Sequence, residues 1–200
     1  MNKGIYYNSL DCGEKNLYDL LLSAFLMNSW KIECGRIASK IDIMKVIDMV
    51  LADNPNIFYF DKTYVWVEDR LGMKSITLRE YMKMSEIETM QYDLSETIEQ
   101  AYRKIMAYNC DTGYEKLKHI YEYLQKNIKY DNDELSVYHN GTVKNYISHN
   151  AYGALIGKRA VCDGIASAFV LLCQRLKIEC SVISGTSDYM SNGVVCMEYC

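Results

Sequence analysis

The stretch from Ala151 to Thr186 constrains the fold most, because it places one cysteine where a turn becomes an amphipathic helix. A turn is expected at Gly157-Lys158-Arg159, and after Cys162 the apolar residues recur at three- and four-residue spacing: Ile165, Ala166, Phe169, Leu172, Cys173 and Leu176. Residues 178–183 then alternate apolar and polar, which predicts a half-buried strand that stops at Gly185. The spacing therefore places Cys162 in the first turn of a helix that packs on a sheet.

The start of a helix is a favourable place for cysteine chemistry. Its first N–H groups have no intrahelical partner and carry partial positive charge, so they favour a thiolate over a thiol. That effect is worth about 0.3–1 kcal/mol, which lowers a thiol pKa by less than about one unit. A thiolate that dominates at neutral pH also needs a neighbouring imidazolium. These residues alone favour the simpler interpretation, in which Cys162 is a small apolar residue under a helix end.

The string AYGALIGKRAVCDGIASAF, followed by a leucine-rich helix and a strand ending in glycine, resembles the nucleophile segment of bacterial transglutaminase-like proteins. The resemblance implies a papain-like core that uses Cys, His and Asp in that chain order. It implies that Cys162 is the nucleophile and that its N–H helps to hold the oxyanion of a tetrahedral intermediate. Residues 151–155 would line the approach, and Tyr152, Asp163 and Gly164 would bind the substrate.

Upstream patterns predict an α+β fold in two parts. Residues 1–90 form an N-terminal extension with helices at 11–28 and 42–51, a strand at 31–37, a hairpin that pairs 53–60 with 63–68, and a third strand at 75–79. Its order of helix, DNPNIFYF and hairpin is similar to the region that often precedes the core in this family. A polar, aperiodic stretch at 84–93 predicts the boundary. Residues 91–200 form the front half of the papain-like core, with helices at 94–108 and 113–128 and a polar connection at 131–147.

A cysteine nucleophile needs a base, and no histidine follows Cys162. The resemblance implies a histidine after the strand that follows the nucleophile helix, and an aspartate later still. The three histidines of this chain are His119, His139 and His149. His149 lies thirteen residues before Cys162 and could approach it, but this would reverse the family's chain order. A solvated or hydrogen-bonded histidine is the better expectation for all three.

The last residues suggest why the base is missing. When Cys196–Cys200 is back-translated and read one nucleotide later, Trp is forced, and Ala before it and Asn-Ile-Val after it are permitted. That sequence is the family's signature just past its catalytic histidine, although the residue before Ala cannot be His by this slip. We therefore hypothesise a frameshifted or truncated family member that has lost its His and Asp, and we expect it to be inactive or nearly so.

Composition excludes several classes of partner. Half of the residues are hydrophobic and 24% are charged, as in a soluble globular chain, and the net charge of -4 without a basic stripe argues against nucleic acid. The most apolar run, Leu17–Met27, is too short to span a bilayer, and no signal peptide is visible.

The eight cysteines contain no C-x-x-C pair, which argues against zinc and predicts reduced thiols in a cytoplasm. An exported parent protein stays an alternative. No metal or other cofactor is expected, since no acidic loop resembles a calcium site.

We expect the parent protein to transfer acyl groups of peptide or protein substrates, by hydrolysis or crosslinking, through a thioester at Cys162. One alternative is a non-catalytic binding module that uses the cleft around Tyr152 and Cys162. Another is a gene product without function. The sequence indicates neither the substrate nor the oligomeric state.

Overall fold

The computed structural model describes residues 3–37, 40–60, 65–78, 82–108, 111–138, 145–187 and 190–196. His139 and the residues 197–200 used in the back-translation lie outside the described residues. Helices combined with small sheets confirm the α+β class. The chain divides into two compact units, Met1–Ile87 and Glu88–Cys200. The functional division into 1–90 and 91–200 stays a prediction.

The first unit contains three helices and one antiparallel sheet. Its elements are α1 (Ile5–Ser9), α2 (Cys12–Leu26), β1 (Lys31–Arg36), α3 (Ile43–Asp53), β2 (Val65–Arg70) and β3 (Met73–Leu78). The two longer helices begin where their acidic caps predict. Asp11 and Glu14 form a reciprocal capping box at the start of α2, and the Asp42 carboxylate accepts a hydrogen bond from the N–H of Lys45 at 3.1 Å.

The predicted hairpin between 53–60 and 63–68 is wrong, because β2 pairs with β3 instead and the sheet order is β1-β3-β2. The turn between β2 and β3 decides this. Leu71 and Gly72 both have positive φ, 54° and 82°, as a two-residue hairpin turn requires. The Asp69 carboxylate accepts from the N–H of Gly72 at 3.0 Å and closes the turn.

The segment predicted as the first hairpin strand forms part of the core. Residues 57–60 are all buried in succession and do not alternate, and they have no strand partner among the described residues. The hydroxyl of Tyr59 donates to the carbonyl of Phe25 in α2 at 3.1 Å. The aromatic residues in this segment therefore pack against helices. Because the same residues are common in strands, their β-propensity led to the wrong prediction.

The second unit is mainly helical. Its elements are α4 (Met84–Met106), α5 (Gly113–Asn127), β4 (Lys129–Tyr130), α6 (Asn132–Tyr138), a 3-10 helix (Tyr146–His149), α7 (Ala151–Leu155), β5 (Arg159–Ala160), α8 (Cys162–Arg175), β6 (Ile183–Ser187) and β7 (Met190–Cys196). The division between the units falls within α4, which runs through the polar stretch predicted as a boundary. Its buried residues are spaced mostly seven apart, at Ile87, Leu94, Ala101 and Ile105, so the short stretch shows little periodicity.

The end of α8 also differs from the prediction. Lys177 has a φ of 59°, and the N–H of Ile178 donates back to the carbonyl of Cys173 at 2.9 Å, which is a helix C-cap. Residues 178–182 therefore continue without regular structure, and the strand begins at Ile183 and pairs with β7. The strand was predicted to begin at residue 178, about five residues before β6 does. The apolar and polar residues of 178–182 alternate, but the C-cap of α8 directs this segment away from strand pairing.

Helix α8 begins at Cys162 as predicted and is the central helix of this unit. The buried surface of α8 is wider than the single apolar face that was predicted, since every residue from Ala168 to Cys173 is buried. Helices α5 and α7 and strands β5 and β7 all contact it. The described helices include none that is both long and apolar enough to cross a bilayer.

Candidate functional site

Cys162 is the first residue of α8, and strand pairing brings a tyrosine to it. Strand β5 leads directly into α8 and pairs in parallel with β4, so that Tyr130 lies opposite Ala160. Burial, followed by the charge of the neighbouring Cys162, raises the pKa of the Tyr130 phenol. The N-cap residue Val161 has no side-chain cap to offer, so the start of α8 depends on such neighbours.

The Cys162 sulfur donates to the Asp163 Oδ1 atom at 3.4 Å. Burial, and after it the Asp163 carboxylate, raise the pKa of the Cys162 thiol, while the Tyr130 hydroxyl acts in the opposite direction. Because a thiolate beside a carboxylate is a like-charge pair, Asp163 outweighs the modest help of the helix start. Cys162 is therefore a thiol at neutral pH.

His149 lies between two carboxylates. Its Nδ1 is 3.2 Å from Asp163 Oδ2, and its Nε2 is 3.2 Å from Glu134 Oε1. The hydrogen bond with Asp163, and with it that with Glu134, raises the pKa of His149 against the opposing effect of burial. An imidazolium that donates from both nitrogens has no lone pair with which to take a thiol proton.

A buried polar cluster holds the segments around His149 in place. The Ser148 hydroxyl donates to Asp131 Oδ2 at 2.7 Å, and the Arg159 guanidinium lies 2.9 Å from Asp131 Oδ1. Burial opposes the ionisation of Asp131, but these groups and the N–H of Glu134 lower its pKa. The N–H of Asn145 donates to Glu134 Oε2 at 2.8 Å. These contacts join β4, β5, α6 and the 3-10 helix.

The structure places the three predicted substrate-binding residues in different surroundings. Tyr152 is half-buried in α7, and burial followed by the charge of Asp93 raises its pKa. The Asp163 carboxylate is occupied by Cys162 and His149. Their substrate-binding roles stay predictions.

Gly164 is buried, and its surroundings explain why it is a glycine. A Cβ there would lie 2.6 Å from the carbonyl oxygen of Ser148 and 2.9 Å from that of Asn150. The missing side chain lets α8 pack directly on the backbone of the preceding segment. This burial favours a packing role for Gly164, and its substrate-binding role stays a prediction.

His119 belongs to a different part of the unit. It is on α5, where its Nδ1 lies 3.0 Å from Glu122 Oε2 and its ring stacks on Tyr108 at 4.4 Å between centroids. The sequence analysis missed Tyr130 and Glu134 as neighbours of the cysteine and of His149. Tyr130 was missed because a two-residue parallel strand leaves no periodic signal in the sequence.

Two further features complete the surroundings. A groove of about 200 Å³ is lined by Tyr121, Leu124, Gln125, Ile128, Ile165 and Phe169. Ile165 lies nearly one helical turn after Cys162, and the groove is smaller than the roughly 300 Å³ at which small-molecule pockets begin. Among the residues that the structure describes, His, Cys, Asp and Glu form no group of three that could hold a metal ion.

A comparison with protein-family models matches residues 100–197, and the matching family is described as the transglutaminase-like superfamily. The matched range contains α5, α8 and all of the site residues above. No curated protein matches the chain.

Proposed function

Because residues 100–197 of the chain belong to the transglutaminase-like superfamily, we propose that the chain carries a cysteine acyl-transfer site in which Cys162 is the nucleophile. The observation that carries this proposal is the position of Cys162 as the first residue of α8, within the matched range. The helix start supplies N–H groups without intrahelical partners, which is where an oxyanion is best stabilised. Peptide or protein amides are the proposed substrates.

In the proposed reaction, the Cys162 sulfur attacks the carbonyl carbon of an amide. As the first residue of α8, Cys162 has a backbone N–H without an intrahelical acceptor, which can donate to the oxyanion that forms. The carbon–nitrogen bond then breaks, the proton that the thiol loses goes to the leaving amine, and a thioester to Cys162 remains. Attack by water gives hydrolysis, and attack by a second amine gives a crosslink.

In the 200-residue chain we propose that turnover is at or near background. The raised pKa of Cys162 leaves little thiolate, which is the reactive form. His149 faces carboxylates with both of its ring nitrogens and is poorly placed to act as a base. Removing the base of a nucleophile–base pair costs on the order of 10⁴-fold or more in rate.

Two measurements test these statements separately. An activated acyl ester should acylate Cys162 slowly, with a rate that rises with pH, and peptide mass mapping should locate the acyl group. Cys12, which is exposed, provides the matched control thiol. If ester labelling reaches Cys12 and never Cys162, the nucleophile assignment is wrong. Amide hydrolysis well above that of Cys162→Ala would instead refute the low turnover.

A second candidate function is peptide binding without turnover, which the un-ionised state of Cys162 favours. In that case Cys162→Ala should bind a candidate peptide as tightly as the unmodified protein does, by calorimetry. A loss of binding that parallels a loss of acylation would favour the catalytic candidate.

We propose a reducing compartment such as the cytoplasm. The cysteines with described side chains are all free thiols: Cys12, Cys34, Cys162, Cys173 and Cys180. Free thiols persist in reducing compartments. Thiol titration of protein isolated under acid quench, which prevents oxidation during preparation, tests this, and recovery of disulfides would contradict it.

A further inference from the structure

We propose that His149 is a positioning residue for Cys162, because it offsets the charge of Asp163 and thereby sets how readily the neighbouring thiol ionises. The inference deepens the proposed function and rests on it. His149 acts in this proposal through Asp163 and takes no proton from the sulfur.

The first support is the sharing of one carboxylate. Asp163 Oδ1 accepts from the Cys162 sulfur at 3.4 Å, and Asp163 Oδ2 lies 3.2 Å from His149 Nδ1. The two oxygens of one side chain therefore face the thiol and the imidazole. A negative charge on Asp163 opposes a second negative charge on Cys162, and a positive charge on His149 reduces that opposition.

The second support is the group that holds His149 in its charged form. The Glu134 side chain is only 2% exposed, and its Oε1 lies 3.2 Å from His149 Nε2. A buried carboxylate is costly unless it is paired and hydrogen-bonded. Glu134 is paired with His149 and accepts from the N–H of Asn145, so the arrangement favours an imidazolium.

Other titratable groups pack against the same segment. Asp131 faces Ser148 and is balanced by Arg159, which also contacts Asp133. On α7, which packs on the 3-10 helix, Tyr152 is a phenol with a raised pKa and is uncharged at neutral pH. On β4, the Tyr130 hydroxyl interacts with Cys162 itself. The His149 ring contacts the carboxylates of Glu134 and Asp163.

The test is the pH profile of Cys162 alkylation by iodoacetamide, read on the Cys162 peptide by mass spectrometry. Asp163→Asn should lower the apparent pKa of Cys162 by about one unit, and His149→Gln should raise it by about one unit. At a fixed pH below both values, the rates should change about tenfold in opposite directions. In the double variant, the effect of His149→Gln should vanish, since the carboxylate beside the thiol has been removed.

His119→Gln is the matched control, because His119 also pairs with a glutamate but lies on α5. It should leave the Cys162 profile unchanged.

The proposal is overturned if His149→Gln leaves the Cys162 profile unchanged, or if its effect persists in full beside Asp163→Asn. If His149→Gln fails to fold by circular dichroism, Glu134→Gln should give a smaller shift in the same direction, and its absence would overturn the proposal. The alkylation profile does not depend on acyl transfer. The role of His149 can therefore be refuted while acylation of Cys162 is observed, and the role of His149 can be supported while acylation is absent.

Discussion

Helices α5 and α8 begin in contrasting ways. At α5, Thr112 and Glu115 form a capping box: the Thr112 hydroxyl accepts from the N–H of Glu115 at 3.2 Å, and the Glu115 carboxylate accepts from the N–H of Thr112 at 2.9 Å. At α8, the N-cap residue Val161 has no side chain that can accept, and its N–H donates to the distant carbonyl of Ser148 at 3.0 Å. One start is satisfied by its own residues and the other by tertiary neighbours.

This difference separates a structural helix end from a functional one. A capping side chain occupies one of the N–H groups that an anion could otherwise use. The first turn of α8 has no capping side chain and leaves these groups to the proposed substrate, at the cost of the stability that a cap provides. The glycine at each start sharpens the contrast, because Gly164 is buried in α8 whereas Gly113 is exposed in α5.

The largest expected effect comes from adding a methyl group at these two glycines. Gly164→Ala should destabilise the protein by about 2–3 kcal/mol, because its Cβ would meet backbone oxygens that cannot easily move. Gly113→Ala should be neutral or stabilise by about 0.5–1 kcal/mol, since a Cβ there meets nothing within 4 Å. Urea unfolding followed by circular dichroism measures both. Equal effects of the two substitutions would remove the contrast between the helix starts.

The next effect concerns the cluster beneath the start of α8. Asp131→Asn should reduce the free energy of unfolding by about 2 kcal/mol at neutral pH, because charged hydrogen bonds are lost. The pKa of Asp131 is lowered in the folded protein, so its contribution is present above the unfolded pKa of about 3.9 and is lost as the pH falls through the folded value. The two proteins should therefore begin to converge in stability below about pH 4 and should become equal only below the folded pKa of Asp131.

Asp133→Asn is the control for that experiment. Asp133 also contacts Arg159, but its side chain is 85% exposed, so the expected change is within about 0.5 kcal/mol. A difference between Asp131→Asn and the unmodified protein that stays constant down to pH 2 would show that the Asp131 charge contributes nothing.

The smallest effect is the loss of the cap on α5. Thr112→Ala should cost about 1 kcal/mol, because the N–H of Glu115 loses its acceptor. Thr112→Ser keeps the hydroxyl and should restore most of that stability. Unfolding by urea at neutral pH distinguishes these outcomes, and the two variants would have equal stability if the capping box were unimportant.

Local interactions explain what could be predicted along the chain. The starts of α2 and α3 were predictable because Asp11 and Asp42 cap helices through residues three positions away. The hairpin was mispredicted because residues 57–60 gain more from burial against helices than from pairing as a strand. The strand after α8 was misplaced because the left-handed Lys177 directs the chain into a cap first. Such choices depend on neighbours that sequence spacing does not reveal.

The sequence by itself determined that Cys162 begins an amphipathic helix and that its segment resembles the transglutaminase-like superfamily. Both follow from short-range spacing, since periodicity and turn residues act within a few positions. Only the tertiary structure decided the ionisation of that cysteine. Tyr130 reaches it through the parallel pairing of β4 with β5, and Glu134 and Asp163 meet at His149 from separate elements. Burial raises the pKa of the thiol together with Asp163, its neighbour in the chain, while the distant Tyr130 acts in the opposite direction, so sequence spacing alone does not set that pKa.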